Sequence, residues 1–165
     1  MANLISFNLA WLGLVLLGNV FIPVAMCWLT IHVYQQKERK KEILLLLCVA
    51  SIGITVDSLL TQVGVFIFDE QFLIPFWLIT LWFCFAATIN HSMHFLSKHR
   101  ALQVFFGILA PVSYLAGERF EKVEMPFGLL PTFFVLAILW MVLMLFFYAI
   151  RKRIVKQEYV ANESS

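Results

Sequence analysis

Apolar residues run almost without interruption through five stretches of the chain, at residues 5–34, 42–68, 72–96, 101–117 and 126–150, and polar residues collect between them. A continuous apolar run of about 20 residues is long enough to cross ~30 Å of hydrocarbon as a helix. The pattern therefore predicts an all-α polytopic membrane protein with about five transmembrane helices. Strands of a membrane barrel would alternate polar and apolar over ~10 residues, and these runs do not alternate.

The first stretch is the irregular one. Thirty residues of helix would extend about 45 Å, longer than the hydrocarbon core, and Gly18, Asn19 and Pro23 interrupt it. Two forms are open. One is a single long helix, tilted and kinked at Pro23, and this is the favoured reading. The other is a pair of half-helices folded into a hairpin at Gly18–Asn19. Asn8 and Asn19 share one face at helical spacing. The later prolines, Pro75, Pro126 and Pro131, fall in the first turns of their stretches, where a missing N–H is tolerated. The short fourth stretch holds Gly107 and Pro111, and Pro111 predicts a kink there.

Composition supports the same class. Hydrophobic residues make up 62% of the 165 and charged residues 13%, with mean hydropathy +0.88. Soluble domains have about 45–50% apolar and about 25% charged residues. The chain reads as one integral membrane domain over residues 1–165, with 157–165 expected to be a disordered tail ending in NESS. Cys27, Cys48 and Cys84 lie inside apolar runs without CxxC spacing and read as small buried hydrophobes. The first charge is Lys37, so no basic segment precedes the first apolar stretch, which is expected to remain uncleaved.

The distribution of cations orients the chain. With the loop at residues 35–41 placed in the cytoplasm, Lys37, Arg39, Lys40, Lys41, Lys98, Arg100, Arg151, Lys152, Arg153 and Lys156 are inside, and only Arg119 and Lys122 are outside. Ten against two is a strong positive-inside bias. It places the C-terminus in the cytoplasm and, for a single first helix, the N-terminus outside. A hairpin would move only the N-terminus. Because the cations sit at span ends, no nucleic-acid-binding face is expected.

Candidate chemistry sits on the second, third and fourth spans. On the second, Ala50, Gly53, Asp57, Thr61 and Gly64 share one arc, extended by Ser51, Thr55, Ser58 and Gln62, opposite Ile52, Val56, Leu59, Leu60, Val63 and Ile67. Small residues and hydroxyls belong at helix contacts. A carboxylate near the membrane middle costs roughly 2.5–3.5 kcal/mol to insert. Asp57 is therefore either a working acid or one end of an interhelical hydrogen bond, with Asn8 or Asn19 as its partner. On the third span, Asn90, His91, Thr88, Ser92 and His94 face one way. Asp57, Asn90 and His91 are the candidate catalytic residues. Ser58, Thr61, Thr88, His94, Tyr114 and Glu118 are candidate substrate contacts, the last two rimming the outer mouth. Asp57 and His91 are separated by on the order of 10 Å along the membrane normal, so direct contact is not expected, although one cavity could reach both. His91 and His94 at i and i+3, with His32 as a third donor, are a weak metal signal; no metal and no cofactor is assigned. Trp11, Trp28, Trp77 and Trp82 read as packing or belt residues. Trp140 sits in an all-apolar fifth span that reads as a lipid-facing wall.

Three strings, VDSLLTQVGVF (residues 56–66), PFWLITLWFCFAATINHS (75–92) and PVSYLAGERF (111–120), resemble domain-of-unknown-function family 2878, small bacterial inner-membrane proteins. The resemblance runs from about residue 8 to residue 150. It implies a multi-pass protein of the bacterial inner membrane and carries over no catalytic residues. It also implies a neighbourhood of cyclopropane-synthase-like methyltransferases and flavin amine-oxidase-like proteins, and so a link to membrane fatty-acid modification. The expected role is in membrane lipid or fatty-acid modification, as enzyme or lipid-presenting subunit, around a polar intramembrane cavity. Membrane lipids are the expected partners, with a homo-oligomer or a membrane complex also open. The alternatives are a small proton-coupled carrier and a structural subunit of a membrane complex.

Overall fold

The computed structural model describes residues 2–69 and 74–162, with side chains described over 3–69 and 74–155. It is helical throughout: α1 (Ala2–Leu17), α2 (Ile22–Gln35), α3 (Arg39–Gln62), α4 (Phe76–Ile89), α5 (Arg100–Leu109), α6 (Val112–Arg119) and α7 (Leu129–Asn162). Short 3-10 turns occupy Gly18–Phe21 and His94–Lys98. Among the described residues there is no strand, only an isolated bridge between Ile67 and Glu124. Four helical stretches are long and apolar enough to cross a membrane, at Asn3–Gln35, Arg39–Gln62, Arg100–Arg119 and Leu129–Val155, and Phe76–Ile89 is a shorter apolar helix. The protein is a polytopic α-helical membrane protein. Glu70 and Gln71 of the expected acidic turn, and residues 163–165 of the expected tail, lie outside the described residues.

The first apolar stretch is a hairpin and not a single kinked helix. Asn3 Nδ2 lies 3.4 Å from His32 Nδ1, whereas a continuous helix would hold those residues more than about 40 Å apart. The reversal has a local cause. Gly18 adopts φ +59, a conformation glycine enters without a Cβ penalty, and the 3-10 turn follows it. Pro23 then stands in the first turn of α2, where its missing N–H is not needed. It starts a helix instead of bending one. The two arms, 16 and 14 residues, are about 24 and 21 Å long. The N-terminal end of α1 therefore lies on the same side as the basic loop at 36–38, not on the opposite side as the single-helix form requires. Asn19 at the bend accepts the backbone N–H of Trp77 at 3.0 Å, satisfying one of the four unpaired donors that open α4.

Two further spans end earlier than their apolar runs. α3 stops at Gln62, and the chain turns through Gly64 at φ +77. α4 stops at Ile89, so Asn90, His91, Ser92 and His94 lie in the following turn and 3-10 segment, not on a helix face. The fourth span breaks at Ala110–Pro111 into α5 and α6, as Pro111 predicts.

The fifth span is more than a lipid-facing wall: Leu130, Phe134, Ile138, Val142 and Phe146 are exposed along one face, and the opposite face is a packing element. Leu136, Trp140, Leu143, Met144 and Phe147 of α7 are buried, and Trp140 stacks on Trp82 of α4 with ring centroids 5.3 Å apart. A Cβ on Gly107 would come within 2.8 Å of the Met141 backbone, so glycine there sets how closely α5 approaches α7. Likewise a Cβ on Gly53 would overlap the Trp82 ring. The inward arc of α3 is narrower than the wheel predicts. Ala50, Gly53 and Asp57 are buried, but Ser51, Thr55 and Gln62 are exposed. Thr55 bonds the carbonyl of Ser51 in its own helix. Of the cysteines, Cys84 is buried, Cys48 intermediate and Cys27 exposed, contrary to the expectation for Cys27.

Candidate functional site

Two separate polar clusters lie within the bundle. The first is centred on Glu42, in the first turn of α3 and 3% exposed. His32 from the last turn of α2 and His91 from the turn after α4 both direct Nε2 at Glu42 Oε1, at 3.0 and 2.9 Å. The two rings meet edge to face, centroids 4.7 Å apart. Asn90 Nδ2 donates to the other carboxylate oxygen at 3.2 Å, and Arg151 Nε on α7 donates to Asn90 Oδ1 at 2.9 Å. On the far side, Asn3 reaches His32 and the Ala87 carbonyl, and its Oδ1 accepts the Ser92 hydroxyl at 2.7 Å. Five segments of the chain thus join one hydrogen-bonded network around a buried carboxylate.

This arrangement follows from the hairpin and the short α4. Folding α1 back brings Asn3 beside the end of α2. The tight turn at 36–38 sets His32 against Glu42. Ending α4 at Ile89 lets His91 turn inward to the same oxygen. His94, by contrast, is exposed. Partial desolvation, then the nearby cations Arg151 and Lys98 and the His91 ring, hold the His94 imidazole below its ordinary pKa.

The second cluster surrounds Asp57, which is 1% exposed. Trp82 Nε1 donates to Oδ2 at 2.7 Å, and the Tyr114 hydroxyl lies 3.0 Å from Oδ1 and 3.2 Å from Oδ2. Its partners are thus Trp82 and Tyr114 and not Asn8, which bonds Leu4 of its own helix. Asp57 stands fifteen residues along α3 from Glu42, about 22 Å. The candidate set of Asp57, Asn90 and His91 is therefore divided: Asn90 and His91 belong to the Glu42 cluster, and Asp57 stands apart.

A cleft of about 620 Å³ lies between α1, α4, α5–α6 and α7. Its walls are mainly apolar and aromatic, among them Phe7, Trp11, Leu81, Phe106 and Trp140. The expected cavity is therefore apolar and not polar. Trp82 and Tyr114 form part of its wall, so Asp57 reaches it only through them. At the end towards Asn90 the wall includes Ser92 and Met93, next in the chain to His91.

The other sequence candidates fall as follows. Ser58 and Glu118 are half-buried. Thr61 bonds the Asp57 carbonyl of its own helix. Thr88 is buried and bonds the Phe85 carbonyl and Met93 Sδ. None of these four lines the cleft, and of the candidate substrate contacts Tyr114 does. Sequence reasoning missed Glu42, Asn3 and Arg151. The signal for Glu42 was present: a carboxylate at the head of an apolar run, ten residues after a histidine across a short basic loop, is where a helical hairpin would bring the two together.

A family model described as Protein of unknown function (DUF2878) matches residues 1–146, in agreement with the resemblance carried by the three strings. No curated protein and no solved structure matches the chain.

Proposed function

We propose, from the premise that the chain belongs to the family of proteins of unknown function DUF2878, that it is a multi-pass protein of the bacterial inner membrane that binds a lipid acyl chain in the cleft beside Tyr114. Through that binding it serves membrane lipid or fatty-acid modification, as enzyme or as lipid-presenting subunit. The observation that carries this reading is the cleft itself. Its volume of about 620 Å³ falls in the roughly 300–1,000 Å³ range of ligand sites, and an apolar wall with few polar groups is the usual lining. Leu4, Leu109 and Val112 on its rim are exposed, as an entrance from the bilayer requires. In this reading the Tyr114 hydroxyl, held by Asp57, is the polar group that fixes the orientation of the bound chain.

A second reading has one observation in its favour. Asp57 has a donor on each carboxylate oxygen, which is what a purely structural link within a membrane complex would need. The experiment that separates the two is a lipid profile of a deletion strain complemented with wild type, Tyr114→Phe or the cleft-filling Ala116→Phe. The lipid reading expects an acyl species to change on deletion and to return with wild type but not with Ala116→Phe. An unchanged lipid profile on deletion would overturn it and leave the structural role.

A further inference from the structure

The convergence of His32, Glu42 and His91 has a chemistry of its own, independent of the cleft. Their ligand atoms lie within 4.8 Å of one another, and both imidazole Nε2 atoms already sit 2.9–3.0 Å from Glu42 Oε1. An ion held tetrahedrally at about 2.0–2.2 Å from each donor sets donors roughly 3.3–3.6 Å apart. The two nitrogen–oxygen separations need to open by about 0.3–0.7 Å, and the two imidazole nitrogens, within 4.8 Å of each other, need to settle at the same spacing.

We propose that His32, Glu42 and His91 form a binding site for one divalent first-row transition cation. Two imidazoles and one carboxylate suit zinc or ferrous iron; magnesium and calcium prefer oxygen-only shells. Three protein ligands leave a coordination position for water or substrate. One negative carboxylate partly compensates the ion, and His91, 26% exposed, gives access from the side of the basic loop.

The surroundings are those of a ligand set held in place. Asn90 fixes the second oxygen of Glu42, and Arg151 fixes Asn90. Outer partners of this kind orient metal ligands. His32 must present a bare Nε2 to the ion, so its Nδ1 carries the proton. For Nδ1–H to find an acceptor, the Asn3 amide must turn its oxygen to it, giving up the bond its nitrogen makes to the Ala87 carbonyl, while that nitrogen donates to Ser92 Oγ.

The test uses the full chain, purified in detergent. Its metal content is measured by elemental mass spectrometry, and the metal-stripped protein is titrated with Zn²⁺ and Co²⁺. The expected result is about one ion per chain, with visible Co²⁺ ligand-field bands that vanish in His91→Ala. Asn90→Ala should weaken binding about 10–100-fold and Glu42→Gln further, with the exposed His94→Gln unchanged. Should Glu42→Gln fail to fold, His91→Ala, on a partly exposed ring, provides the same comparison. Wild-type protein that takes up neither ion, or ligand variants that bind as wild type does, would overturn the site. Because the readout is metal and not lipid, its failure would leave the cleft reading standing.

Discussion

Trp82 Nε1 donates to Asp57 Oδ2 at 2.7 Å, tying α4 to α3 through two residues 25 positions apart and both almost fully buried. Tyr114 brings α6 to the same carboxylate. An asparagine at 57 could still accept from Trp82 through its oxygen and donate to the Tyr114 oxygen through its nitrogen. An alanine leaves both donors unpaired, at about 1–3 kcal/mol for each buried group. Asp57→Asn is therefore expected to unfold within a few degrees of wild type in detergent and Asp57→Ala markedly lower, as thermal denaturation would read. If Asp57→Asn also restores the lipid profile in full, Asp57 has no role as an acid.

The same contact depends on Gly53. A Cβ there would overlap the Trp82 ring, and Trp82 is stacked on Trp140 behind it, so the ring has no room to retreat. Gly53→Ala is expected to cost about 1–3 kcal/mol, the usual range for overpacking a filled core. It should also shift the Trp82 indole N–H resonance, since displacement of the ring lengthens its bond to Asp57. An unchanged melting temperature would mean that α3 and α4 can separate without loss.

The membrane class, the number of apolar stretches and the burial of Asp57 were legible because each rests on local composition and helical spacing. The hairpin was only half legible. Gly18 and Pro23 mark a discontinuity equally well for a kink or a reversal, and what decides between them is Asn3 meeting His32, a contact 29 residues apart. The Glu42 cluster was hidden for the same reason. Its members come from α1, α2, α3, the turn after α4 and α7, so no single helix face displays the cluster. His91 was placed on a helix because the apolar run continues to Leu96, although the helix itself ends at Ile89.

His94 gives a pH dependence with a definite sign. Its folded-state pKa lies below the ordinary 6.5, from partial desolvation and then from the nearby Arg151, Lys98 and His91 side chains. Below 6.5 the unfolded chain binds this proton more readily than the folded one, so stability rises with pH in that window. The contribution is complete above pH 6.5 and is lost as pH falls through the folded value. Replacing His94 with glutamine should flatten the slope of melting temperature against pH on the acid side of 6.5 and leave it unchanged at pH 8.

The hairpin makes a topological prediction that the single kinked helix does not share. Asn3 lies beside His32, and the cluster they join is bonded to Arg151 near the basic end of the fifth span. The opening of α1, the basic loop and the end of the fifth span therefore share one face of the membrane. The excess of lysine and arginine predicts that this face is cytoplasmic. A reporter joined ahead of Ala2 and one joined after residue 155 should both be active only as cytoplasmic fusions, with a hydrophilic thiol reagent added to intact cells failing to label a cysteine placed at either end. A cysteine at Lys122, in the turn between α6 and α7, should label readily. Labelling ahead of Ala2 with protection after residue 155 would restore the single-helix form. It would also separate Asn3 from His32 and remove the outer support of the Glu42 cluster.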